Sequence, residues 1–526
     1  MGIPKTAMPA FVPKLSALWE RVDSRLRGML LLPDREVRDF PFVASDVAQL
    51  HRLRSDPAAA AIDDATWKDM LLDAYSAELA QEVSIFGQQA LHQRLRAGMG
   101  DTQPANIREL VGDPAQTEAL HRLCTPLRHA DQEVATLLFE DALPAVPAWV
   151  RWTWLLPLAL LVSIAAVALS PLAWIGAFGV LYLLLSTQMR YADRVEQWQR
   201  SMNTLHMLLR VVSQLGGSDA AAAGRINRKL GRSPLLVLTP GLRTYLDWFA
   251  LANVRHYFKN VQTVRAHLPM LRACFDAVAS LEADLALARH LLRMPSFCWA
   301  AQSSSADICL EQTVHPLLPQ AQALSLELRG RGAFISGQNG IGKSTLLRTL
   351  GLNLIAARAF GFCYAESATV PSMPVYASMQ SEDSLLGGES LYMAELRRAR
   401  ELLAAAEGPH PGIYIIDEIF RGTNHLESVS AAASVLDVLA AKGLVVVSSH
   451  NLVLASLLAH RLDPLCVARD PDGKLALGSG VLAHTNGIAL LAERGFGDRV
   501  EQNAGKVFDW LSAYLAHPAD CSAVLA

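Results

Sequence analysis

The segment GQNGIGKST, Gly337–Thr345, sets glycines, a lysine and two hydroxyls at the spacing of a phosphate-cradling loop. Gly337, Gly340 and Gly342 free the backbone amides around Asn339 to curl about a β-phosphate, and the positive end of a following helix adds its field. Lys343 would reach the β- and γ-phosphates, the Ser344 hydroxyl would bind Mg2+, and Thr345 would complete the nucleotide-binding turn. Downstream, IYIIDE is an apolar run ending in two carboxylates. Asp417 is placed to hold the metal or its waters, and Glu418 to orient or deprotonate an attacking water. LVVVSSH ends in His450, where an imidazole would sense a γ-phosphate.

Positioning these groups needs strands that feed helices. ALSLEL, GAFISG, GIYIIDE and LVVVSSH are short β-rich runs, and TLLRTLGLNLIAARA after the glycine loop is helical in pattern. Strands alternating with helices predict an α/β P-loop ATPase domain over 300–526, with a hairpin at VARDPDGKLALGSG turning on Pro-Asp-Gly. Before it the pattern is all-α. A helical segment covers 1–61, with a docking or membrane-surface helix at 13–32. A first helical region covers 62–148, an apolar helical hairpin 149–191, and a second helical region 192–299.

The apolar hairpin is the sharpest compositional break. Trp152–Met189 carries no charged side chain, and Ser170-Pro171 divides it into two halves, since proline does not continue a helix. Trp149, Trp152, Trp154, Tyr182 and Tyr191 sit where interfacial aromatics would, with Arg151, Arg190 and Arg194 on the cytoplasmic side. The expectation is a membrane-spanning or membrane-dipping hairpin at the cytoplasmic membrane, lipid contact through 152–189, and an ATPase domain facing the cytosol. The alternative is a hairpin buried in a helical bundle.

Over 526 residues, 47 Lys+Arg balance 50 Asp+Glu, which argues against a surface that binds polyanions everywhere. The basic excess is local: 190–259 holds 11 Lys+Arg against 4 Asp+Glu, densest in GRINRKLGR. Nucleic-acid phosphate, lipid head groups and plain solvent are all open partners for it. The 7 cysteines form no C-x-x-C pair and no metal-ligand spacing, so they read as reduced thiols. No cleavable signal peptide is evident at the N-terminus.

DSLLGGES, Asp383–Ser390, resembles the signature loop of the ABC superfamily. That resemblance implies that Asp383, Gly388 and Ser390 serve the nucleotide bound on an opposite subunit, so the working unit would be a homodimer. Together with Asn339, DEIFRGTN (Asp417–Asn424), HPLL at 315–318 and LGSGVLAHTNGIALLAERGF, the chain resembles the ATPase domain of the MutS family over about 300–500. The long helical pattern Met270–Arg293 resembles its lever helix. IDDATWKDM followed by GQQALHQRLR resembles the opening of its core domain. No Phe-x-Glu mismatch wedge is found near the N-terminus, and the apolar hairpin makes the whole similar to MutS-related ATPases with membrane segments. The resemblance implies a Mg2+-dependent ATPase, an ATP-switched dimer binding DNA in mismatch repair or damage sensing. The alternative reading is a membrane-anchored ATPase of ABC type that drives a protein partner of unknown identity without touching DNA.

Overall fold

The computed structural model describes residues 40–55, 62–98, 104–140, 143–232, 240–379, 391–482 and 498–515. The helix expected at 13–32 and the loop bearing Asp383, Gly388 and Ser390 lie outside them. The chain divides into two compact units, each discontinuous in sequence: Met1–Arg54, Ala80–Leu91 and Glu109–Arg289 in one; Ser55–Leu79, His92–Arg108 and His290–Ala526 in the other. The region read from sequence as one stretch, 62–148, is thus shared between the two.

The first unit is helical. Its long elements are Ala173–Leu215, of 43 residues, and most of Leu268–Arg293, of 26 residues. Asp113 caps the helix Pro114–Cys124, its side chain accepting from the Gln116 amide, with a proline in the first turn. Leu205, Leu208, Leu209 and Val212 of Ala173–Leu215 are buried, as are Ala223, Ile226 and Leu230 of the adjoining helix Ala220–Leu230. Glu282 is buried, accepts from the Ser84 hydroxyl and the Gly87 amide, and burial pushes its carboxyl up to about 7.

The apolar stretch takes a form that corrects the membrane reading. It forms Leu155–Ala166, only 12 residues, then breaks and resumes inside Ala173–Leu215, which runs on without interruption through Arg190, Asp193 and Arg194. Twelve residues rise about 18 Å, against about 30 Å of hydrocarbon. Among the described residues no helix is long and apolar enough to cross a membrane. Part of the apolar surface instead closes a core. Leu184 is buried with Leu251, Val254, Tyr257, Phe258 and Val261, and Leu156, Leu160 and Val180 pack against them. The expected location at the cytoplasmic membrane is therefore overturned. The transmembrane segment, the lipid contact through 152–189 and the membrane-segment subgroup are left without support.

The second unit is mixed α/β. Its strands are β1 Cys298–Trp299, β2 Ala301–Gln302, β3 Ile308–Thr313, β4 Leu324–Leu328, β5 Gly332–Gly337, β6 Phe362–Cys363, β7 Ser367–Val370, β8 Val375–Ser378, β9 Ile413–Asp417, β10 Leu444–Ser448, β11 Leu462–Arg469 and β12 Leu475–Ser479. The main sheet runs β12-β11-β5-β10-β9-β8, parallel from β8 to β11, with β12 added antiparallel. A second sheet runs β2-β7-β3-β4. Every residue of β5, β9 and β10 is buried, as near-continuous Ile/Val runs in a parallel sheet require. The helix Lys343–Phe360 follows β5 and ends at Gly361, whose φ of +79° suits glycine.

The segment Ser55–Leu79 belongs to this unit through specific bonds. Asp63 caps the helix Asp64–Asp69, and its carboxylate pairs with Arg398 at 3.2 Å. Thr66 Oγ1 accepts from the Ala377 amide of β8 at 2.9 Å. The Tyr75 and Tyr364 hydroxyls meet at 2.8 Å, and Tyr364 meets His290 Nε2 at 2.9 Å, all buried.

Candidate nucleotide site

The central strands bring the predicted residues together at their C-terminal ends, where loops of an open parallel sheet form ligand clefts. β5 leads into the glycine loop, and the helix Lys343–Phe360 starts at its far side. Gly340 and Gly342 have φ of +74° and +106°, conformations that cost a side-chain-bearing residue dearly. Gly337 is constrained differently: a Cβ there would sit 3.0 Å from the Val467 carbonyl of neighbouring β11. Gln338, Asn339 and Gly340 are exposed, Ser344 is half-buried and Thr345 exposed.

Lys343 folds back over its own loop, with Nζ donating to the Gly337 and Gln338 carbonyls at 2.9 and 3.1 Å. Burial pulls its ammonium down from the usual range, and the charges of Asp417 and Glu418 act in the opposite sense. An ammonium parked on two loop carbonyls is ready to transfer to phosphate oxygens, which offer it stronger charge-assisted bonds.

Asp417 closes β9 and is 3% exposed. The register of β9 on β10 sets it opposite Ser448, whose hydroxyl donates to Asp417 Oδ1 at 2.5 Å. Asp417 Oδ2 is buried with no hydrogen-bond partner. An orphaned carboxylate oxygen is costly unless it meets a cation or water. Among the described residues no group of three His, Cys, Asp or Glu side chains forms a metal cage. One carboxylate plus the Ser344 hydroxyl is still a fitting donor set for Mg2+, which keeps several waters and takes its remaining oxygens from phosphates.

Glu418 is held from several directions. Its amide donates to the Ser448 carbonyl at 2.9 Å, Oε1 lies 2.8 Å from His450 Nε2, and Oε2 lies 3.3 Å from Arg421 Nε. The Glu418 and Phe420 backbones have φ of +54° and +57°, a strained turn of the kind that functional sites retain. His450 thus reaches the carboxylate directly, while half of its side chain stays open to solvent.

Sequence reading overlooked three members of this cluster. Ser448 is the neighbour of Asp417, and aligning β9 with β10 by their apolar runs would have found it. Arg421 links Glu418 to Glu395, whose Oε2 accepts from the Arg421 amide at 2.9 Å. Glu395 sits on the helix Leu391–Ala406, and nothing in its local sequence signals this role. Gly422 fits because a Cβ there would lie 2.8 Å from the Tyr392 amide nitrogen on the same helix.

His290 and His315 of this unit are buried. Burial, with Arg348 adding to it, pushes His315 down to about 4, and burial with Arg293 does the same to His290.

Comparison with known proteins agrees with this geometry. Residues 333–467 match the model of MutS domain V. The chain is 34% identical over 168 residues to Endonuclease MutS2 of Thermus thermophilus, covering 31% of this chain and 21% of that protein. It is 29% identical over 228 residues to the DNA mismatch repair protein MutS of Lactobacillus delbrueckii subsp. bulgaricus, covering 41% and 26%. It is 30% identical over 206 residues to the DNA mismatch repair protein msh3 of Botryotinia fuckeliana, covering 37% and 18%. The chain therefore spans about a fifth to a quarter of the length of these relatives. The part that carries the glycine loop and both carboxylates, residues 333–467, is the part of the chain that is similar to MutS domain V.

Proposed function

We propose that the chain is a Mg2+-dependent ATPase of MutS type, an ATP-switched dimer that acts on DNA. The observation that carries this reading is Asp417, buried at the end of β9 with Oδ2 unpartnered and close enough to Lys343 to act on its charge. In this reading the amides of Gly337–Thr345, with Asn339, wrap the β-phosphate, and Lys343 leaves its loop carbonyls for the β- and γ-phosphate oxygens. Ser344 and Asp417 hold Mg2+, which when bound neutralises charge developing on the phosphates. Glu418 takes the proton of the attacking water, with His450 and Arg421 fixing its two oxygens. Asp383, Gly388 and Ser390 are assigned to the nucleotide of a second subunit. The names of the relatives support DNA as the macromolecule acted on.

The test is Glu418→Gln, which keeps the shape and removes the base. Hydrolysis is expected to fall about 10²- to 10⁴-fold, while ATP affinity stays near that of the parent. Unchanged turnover sinks the catalytic assignment. In parallel, gel shifts with duplex DNA should respond to ATP and weaken steeply with salt. A chain that hydrolyses ATP and never shifts DNA would work on a protein instead.

A further inference from the structure

The helical unit holds a second concave site. A cleft of about 610 Å3 is lined by Arg151, Arg232, Arg255, His256 and Lys259 and, among the described residues, by no carboxylate, with Val150 and Phe258 supplying apolar wall. Its volume falls in the range of small-molecule sites. Arg255 and Lys259 stand four residues apart on the helix Ala252–Ala266, a spacing that sets like charges side by side at a cost to the helix. Both are exposed, and neither side chain has an ion-pair partner among the described residues. Arg232 is anchored, its Nη1 donating to the two Asp247 carboxylate oxygens at 3.1 and 3.0 Å, yet its buried Nε has no partner. Arg151 is steadied over the ring of Trp152, 5.2 Å from its centroid.

We propose that this cleft binds a compact phosphate ester carrying at least two negative charges, at a site separate from the glycine loop. Asp247 pairs with Arg232, and Arg151, Arg255 and Lys259 gathered in the same concavity focus a positive field there, which a solvated convex face would disperse. Guanidinium forks match phosphate oxygens in plane and spacing, and arginines supply most of the charge. The volume takes a nucleotide-sized molecule whole, with Phe258 and Val150 against its uncharged part. A duplex would lay only one backbone along the rim.

Titration calorimetry of inorganic pyrophosphate into the full chain at low salt should resolve two sites per chain. Arg255→Ala/Lys259→Ala removes two exposed side chains and should leave Tm unchanged. It should lose one site, or weaken it at least tenfold, while ATP affinity stays within twofold. Lys343→Ala should lose the other site, so a failure of the glycine-loop reading shows up separately. A double variant that keeps every site of the parent undiminished overturns the proposal, whereas a single parental site that the double variant loses counts against the glycine-loop reading instead. The proposal also falls if the double variant binds pyrophosphate as the parent does but loses a single-stranded oligonucleotide, for the cleft is then a nucleic-acid surface.

Discussion

At the residue scale the second unit is defined by polar groups buried away from water. His290 is fully buried against the Tyr364 hydroxyl, and His315 accepts from the Leu317 amide at 3.2 Å. Both imidazoles are pushed down to about 4, so the fold favours their neutral form. An unfolded histidine titrates near 6.5 and binds its proton first as pH falls. Their contribution is therefore complete above about pH 6.5 and is lost as pH drops toward 4, by up to a few kcal/mol in all. Urea midpoints measured from pH 7 to pH 4.5 should fall for the parent, and less for His290→Gln; equal slopes would contradict the assignment. Neither histidine betrays its burial by neighbouring residue types, because tertiary packing alone dries those positions.

At the scale of elements, the parallel strands do the positioning. β9 and β10 pair in register from Leu444 on Ile413 to Ser448 on Asp417, which is what gives Asp417 its hydroxyl donor. Ser448→Ala leaves both oxygens of a buried carboxylate without a donor. The Mg2+ concentration needed for half-maximal ATP hydrolysis is expected to rise about 10- to 100-fold, the usual scale for losing a group that orients a metal ligand. An unchanged magnesium titration would remove Asp417 from the metal site. The runs that form β5, β9 and β10 were legible because a central parallel strand must be apolar throughout and a phosphate loop must follow one, while their order in the sheet was not. The apolar stretch around 152–189 misled for a related reason. Lack of charge measures hydrophobicity but not helix length: the break at Ser170-Pro171 was legible, but the end of the first helix at Ala166 and the packing of Leu184 are tertiary facts.

At the scale of the whole molecule, the discontinuous units matter most. A boundary near 300 follows from the change of hydrophobic period, yet Ser55–Leu79 and His92–Arg108 belong with the α/β part. Trp67, Met70 and Tyr75 are buried there, and Met70 lies against Gly351 of the helix after the glycine loop. Each such large apolar side chain contributes roughly 1.5–3 kcal/mol by its burial. A fragment of residues 300–526 alone should therefore aggregate or melt well below the full chain in a thermal scan. A soluble fragment with the parent Tm and ATP affinity would show that the upstream segments are dispensable.

Local order decides what a sequence can tell. The glycine loop, its lysine, the paired carboxylates and the alternation of strand and helix were readable because each is a short pattern whose chemistry fixes its spacing. Ser448, Arg421 and Glu395 around the carboxylates, the assignment of 55–79 to the α/β unit, and the cations that meet in one cleft from 151, 232 and 255–259 were not. Apart from the three-residue step between Glu418 and Arg421, those juxtapositions join residues far apart in the chain, and only sheet register and helix packing bring them within bonding distance.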